Sequence, residues 1–264
     1  MPNPGKYAAL AEQLAGLINT DYSPGDQFLT NYKIAERYGV SGHTVSRAVQ
    51  ALKERGLLSG KVGGKTWVRV PPVFHLRSNE NYHQEKKRVH LPEEERRSWG
   101  VAEAGTTTPV TELAEDAVRY AIVDPPQDVA DLMGLSPGRK VLRKSAFRRN
   151  SHGEGASTAV FYLPYDVVSA NPELLDPTNE PWPGGLQHQL STLGIEVDRI
   201  EDRLTADMPT ADEAKEQDIP PGVPMMRVRK ITYDTNDRVV EVADILFPGD
   251  RAELRFITRL ERWA

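Results

Sequence analysis

The chain has no cysteine, which excludes disulfides, thiolate metal ligands and a thiol nucleophile. No apolar run approaches the roughly 18 residues needed to span a bilayer. The opening stretch MPNPGKYAAL lacks the charged-then-apolar layout of a secretory signal. The six histidines are scattered, without a His-x-x-x-His spacing. SPGRK and SHGEG read as turns rather than phosphate loops, since neither sits between a strand and a helix with the required glycine spacing. Internal repeats and low-complexity tracts are missing too. These absences leave an expectation of a soluble, cytoplasmic protein with no membrane partner, no metal, no cofactor and no catalytic residues. At 264 residues, 39% hydrophobic and 27% charged, the chain suits two globular domains better than one.

The net charge of −5 is unevenly spread. Residues 1–70 hold nine Lys or Arg against five Asp or Glu, whereas the remainder holds 24 against 33. A positive excess confined to one terminal module points to a polyanionic partner for that module.

Periodicity predicts a first helix over about Pro4–Thr20, with Tyr7, Leu10, Ala11, Leu14, Leu17 and Ile18 on one face. The SPGDQF turn ends it. Thr30 can cap a short second helix, NYKIAERY, and Gly39 turns the chain into a third over about Gly42–Arg55, capped by Ser41. LLSGKVGGKTWVRV then has the layout of a two-stranded hairpin around Gly63 and Gly64. Three helices and a wing make a winged helix-turn-helix. In such a module the third helix enters the major groove. Small polar residues near its start let the backbone approach, and longer donors reach bases and phosphates. Ser41, His43, Thr44 and Arg47 fit that need, while Lys61 and Lys65 on the wing offer phosphate contacts.

Residues 73–100, rich in charge, read as a solvated linker. From 101 to 264, strands alternate with short helices and hairpins: TELAEDAVRYAIV, KVLRKSAFRRN, GASTAVFYLP, IEVDRIEDRLTAD and a pair joined at Asn236–Asp237. Short helices are expected at PQDVADLMGL, GGLQHQLSTLG and, capped, TADEAKEQD. The fold class is α+β with a largely antiparallel sheet. The domains are then 1–72, a linker, and 101–264.

The segments YAALAEQLAGLI, SPGDQFLTNYKIAERYGVSGHTVSRAVQALKERGLL and GGKTWV resemble the winged helix-turn-helix of GntR-type bacterial regulators. FYLP, PTADEA, VPMMRV and VVEVADILFPGDR resemble the HutC-type effector (UTRA) domain, whose fold is chorismate-lyase-like. The resemblance implies a homodimeric, ligand-responsive transcription factor, most often a repressor, on an inverted-repeat operator of double-stranded DNA. It implies DNA contacts at Thr30, Tyr32, Lys33, Ser41, His43, Thr44, Arg47, Lys61, Gly63, Gly64 and Lys65. Three arginines common in the family fall on Tyr32, Gly42 and Ser46, so either the operator differs from the usual one and is read by Tyr32, His43, Thr44 and Arg47, or DNA binding is weakened. In the effector domain, Arg148 and Glu241 match ligand-binding positions. Two further charged positions of the family fall on Ala146 and Ala159. Arg148 would suit an anionic small-molecule effector, with Tyr162, Tyr165 and His188 as weaker candidates. Glu241 is alternatively a surface partner of Arg238 or Lys230. The rival readings are a constitutive dimeric repressor without an effector, and a small-molecule-binding or lyase-like protein whose N-terminal module does not read DNA.

Overall fold

The computed structural model describes residues 5–60, 64–70, 75–97, 113–150, 157–217 and 219–260. It divides into two units: 1–72 with 208–224, and 73–207 with 225–264.

The first unit opens with α1 (Lys6–Asp21), α2 (Asn31–Tyr38) and α3 (Gly42–Glu54). The Thr30 side chain accepts a hydrogen bond from Lys33 N, and Ser41 accepts one from Thr44 N. Each satisfies a backbone donor that the first turn of a helix leaves open. Gly39, at φ 63°, supplies the left-handed residue that ends α2 and lets α3 start at once. Leu14, Ile34, Val45, Ala48 and Leu52 are fully buried between the three helices. The wing is β1 (Leu58–Ser59) against β2 (Trp67–Val68), antiparallel. Residues 25–28 brace β2 from its other side: Phe28 N donates to Thr66 O, and Val68 N to Asp26 O, both at 2.8 Å.

The second unit begins with β3 (His75–Ser78), α4 (Glu80–Arg88) and α5 (Glu93–Arg97). This corrects the expectation of a solvated linker. Arg77, Ser78 and Glu85 are buried because each charge has a dedicated partner. Arg77 pairs with Asp202 and Tyr82, Glu85 Oε1 accepts Gln187 N at 2.9 Å, and Lys86 Nζ donates to Val197 O at 2.6 Å. In sequence, charges with buried partners look the same as charges in water.

There follow β4 (Leu113–Val123), α6 (Gln127–Met133), β5 (Val141–Asn150), β6 (Ser157–Pro164), α7 (Tyr165–Val168), α8 (Gly185–Ser191) and β7 (Val197–Asp207). After α9 (Ala211–Glu216), in the segment that groups with the first unit, come β8 (Met225–Asp234), β9 (Val239–Pro248) and β10 (Ala252–Arg255). The six-stranded sheet runs β4-β5-β6-β9-β8-β7 with every neighbour antiparallel, while β10 pairs with β3 in parallel. The α+β class with an antiparallel sheet is therefore as the pattern predicts. Asp237, at φ 60°, makes the β8–β9 turn, and the Asp234 carboxylate accepts the N–H groups of Asn236 and Arg238 there. One sheet face carries the main core, including Leu142, Phe161, Leu163 and Ile245, covered by Leu186 and Leu190 of α8. The other face packs Ile231 and Val242 against Val129 of α6. Arg229 ties that helix down, gripping Asp244 at 2.7 and 2.8 Å and also reaching Asp128. Its guanidinium pKa is raised mainly by the Asp244 bond.

Candidate nucleic-acid interface and effector cavity

On the first unit, a concave groove of about 740 Å³ lies between the start of α2, the outer face of α3 and the wing. Thr30, Asn31 and Tyr32 form one wall, Ser46, Val49, Gln50 and Lys53 the floor, and Gly64, Lys65 and Thr66 the other wall. Tyr32 is 76% exposed, its ring open to whatever occupies the groove. The floor follows from helical spacing: burying Val45, Ala48 and Leu52 turns Ser46 and Gln50 outward, one turn apart. Lys53 Nζ donates to Gly60 O at 2.8 Å, linking α3 to the wing. His43 is exposed at the start of α3.

In the second unit, a small cavity of about 40 Å³ lies between the main-core face of the sheet and α8. That is room for roughly three waters. Apolar side chains of Val118, Ala146, Phe161, Leu163, Trp182 and Leu186 line it, together with Lys144, Glu180, Gln189 and Glu241. Glu180 Oε1 accepts from Tyr120 OH (2.7 Å), Gln189 Nε2 (3.1 Å) and Lys144 Nζ (3.4 Å), and Glu180 Oε2 accepts from Trp182 N (3.0 Å). Lys144 Nζ also donates to Gln189 Oε1 at 2.8 Å. Glu241 Oε2 accepts from Lys230 Nζ at 2.9 Å and Thr232 Oγ1 at 2.8 Å. Lys230 and Glu241 are 0% and 1% exposed. Charges this deep persist only when paired. Gly185 (φ 64°) allows the approach of α4 to α8, since a Cβ there would fall 2.8 Å from Glu85 Oε1. At the cavity edge Trp182 Nε1 donates to His188 Nδ1 at 2.8 Å. The His188 pKa is pushed down, first by burial and then by the nearby Arg96. Among the described residues, no group of three or more His, Asp or Glu is placed to hold a metal ion.

The sequence pattern of the UTRA domain matches residues 112–253. The chain belongs to the UTRA family. Two relatives match nearly the whole length, both named uncharacterised HTH-type transcriptional regulators. One, from Rhizobium meliloti strain 1021, is 26% identical over 256 residues, 95% of each chain. The other, from Streptomyces coelicolor, is 25% identical over 259 residues, 95% of this chain and 91% of its own. A crystal structure assigned to the GntR family of transcriptional regulators superposes with a TM-score of 0.66, covering 97% of this chain and 98% of the other. At 20% identity that likeness shows the fold. With a UTRA domain behind a helix-turn-helix module, the chain is a transcriptional regulator of the UTRA family.

The predicted DNA-contact residues divide. Thr30, Tyr32, Gly64 and Lys65 line the groove. Ser41 and Thr30 act as helix caps, and Thr44 Oγ1 lies 2.9 Å from Ser41 Oγ. Lys33 is exposed on the first turn of α2. Arg47 does not line the groove; its guanidinium stacks on the Tyr7 ring of α1, 4.0 Å from the centroid. Lys61 and Gly63 lie outside the described residues. Ser46, Gln50 and Lys53 also line the groove and are not among the expected DNA contacts.

Of the candidates in the UTRA domain, Glu241 reaches the cavity, and it pairs with Lys230 in the interior rather than at the surface. Tyr162 belongs to the opposite sheet face, packed with the Val129, Ile231 and Val242 cluster. Tyr165 starts α7, and like Tyr162 it is not among the residues that line the cavity. Arg148 stands in β5 in register with Asp116 and Ser157; its side chain lies outside the described residues. Lys144, Glu180 and Gln189 were missed. One signal for Lys144 was present: it shares strand parity with the buried Leu142 and Ala146. Lys230 likewise shares parity with Val228 and Thr232.

Proposed function

We propose that this regulator acts in the cytoplasm as a homodimeric repressor. Each α3 enters the major groove of one half-site of an inverted repeat, and a small-molecule effector bound in the UTRA cavity changes DNA affinity. The observation that carries the reading is the groove: an exposed polar stripe on a capped helix, flanked by a lysine-bearing wing, in a chain whose other half is a UTRA domain. An effector larger than the 40 Å³ cavity must displace the Lys144–Glu180–Gln189 cluster. Binding therefore favours a rearranged domain over the closed one, and that differential affinity is what a ligand needs to shift an equilibrium.

The test is selection of duplexes from a random pool by the full-length protein at two salt concentrations, followed by the mass of the complex. The reading expects an enriched inverted repeat bound by two chains, with affinity falling steeply as salt rises. Salt-sensitive binding without an enriched sequence would favour the rival in which the module does not read DNA.

A further inference from the structure

Guanine is read in the major groove chiefly by cationic forks, adenine by the amides of Asn and Gln, and thymine by apolar contact with its methyl group. Each described arginine before residue 70 is committed away from the groove. Arg37 lies over the Tyr38 ring (5.7 Å) and Arg47 over Tyr7 (4.0 Å). Arg55 pairs with Glu12 at 2.8 Å, and Arg69 Nη1 fills the space beside Gly56, 2.8 Å from where a Cβ would stand. None of the four lines the groove.

Its floor instead carries the neutral Ser46, Val49 and Gln50, with Lys53 beside them held to Gly60 O at 2.8 Å. Gln50 Nε2 donates one hydrogen to Glu54 Oε1 at 3.1 Å, which fixes which way the amide faces. The second N–H and Oε1 are left for adenine N7 and N6, the pairing an amide makes with that base. The lysines near the groove suit phosphates. Lys53 is tied to Gly60 O, Lys65 lies 6.0 Å from the Trp67 ring on the wing, and Lys33 stands exposed at the start of α2. Such contacts give salt-dependent affinity without reading sequence.

We propose that this module reads A·T pairs in the major groove through neutral side chains, with Gln50 as its adenine-reading group. The inference rests on the DNA-binding reading above and adds to it the class of base pair that the operator fixes.

The experiment is the random-duplex selection run in parallel on the full-length wild type, Gln50→Ala and Gln50→Arg, with melting curves as a folding control. Gln50 is exposed, so all three should melt alike. The wild-type repeat should fix A·T pairs within each half-site. Gln50→Ala should lower discrimination at one base pair per half-site by about 5- to 150-fold, the range of one bidentate pair, and leave the other positions unchanged. Gln50→Arg should convert that pair to G·C. A repeat fixed by G·C pairs in the wild type, or the same repeat from all three proteins, overturns the inference while leaving the DNA-reading function standing. If no protein enriches any repeat, the underlying DNA-reading function falls and takes the inference with it.

Discussion

Replacing Glu241 by alanine separates a folding role from a ligand role for a residue that fits both. The change leaves the Lys230 ammonium, 0% exposed, without the carboxylate 2.9 Å away. Breaking a buried pair in this way costs about 3–5 kcal/mol. For a unit the size of 73–207 with 225–264, about 2–4 °C of melting temperature per kcal/mol gives a fall of roughly 6–20 °C. Lys230→Met with Glu241→Leu removes both charges and should restore most of the loss, since an apolar pair of similar volume is often neutral or better. The assay is urea unfolding of wild type, both single variants and the double at pH 7. A loss below about 1 kcal/mol for Glu241→Ala, or a double variant as unstable as the sum of the singles, would refute the buried-pair account.

Three further outcomes are expected. Ser41→Ala should cost about 1 kcal/mol by removing the α3 cap, read by chemical denaturation, and should weaken operator affinity because it loosens the first turn; unchanged stability would contradict the cap's role. Arg47→Ala should lower stability by about 0.5–1 kcal/mol through the lost stacking on Tyr7 and leave the preferred operator sequence unchanged; an altered base preference in a selection experiment would return Arg47 to the reading face. The depressed His188 pKa means that the folded protein keeps this ring neutral where the unfolded chain begins to protonate. Its contribution is therefore full above the unfolded pKa of about 6.5 and is lost as pH falls below it. His188→Gln, melted from pH 7.5 to 5, should flatten that fall, and an identical pH profile would rule His188 out as its source.

The DNA-binding module was largely legible because its determinants are local. The caps at Thr30 and Ser41, the left-handed Gly39 and the stripe of Val45, Ala48, Val49 and Leu52 all act within a few residues of one another. The cavity was not, because its polar groups meet from distant parts of the chain: Lys144 on β5, Glu180 in a loop, Gln189 on α8 and Glu241 on β9. Resemblance pointed to Glu241 but drew attention to Tyr162, whose strand neighbours Phe161 and Leu163 face the cavity in its place. A shift of one residue along a strand exchanges the two faces. Arg47 misled for a related reason: the sequence shows a cation on a polar helix face, but not the aromatic ring of α1 beside it. The stretch 75–97 was misread because hydropathy does not distinguish Glu85 capping α8 from a glutamate in water.

The central claim is that the N-terminal module reads DNA sequence. Its most direct test is the affinity of the full-length protein for its selected inverted repeat against a scrambled duplex of the same composition, across a salt series. The account predicts that the repeat binds at least about 10³-fold more tightly than the scrambled duplex, with a ratio that persists while both affinities fall as salt rises. Equal affinities for the two duplexes at every salt concentration would contradict it.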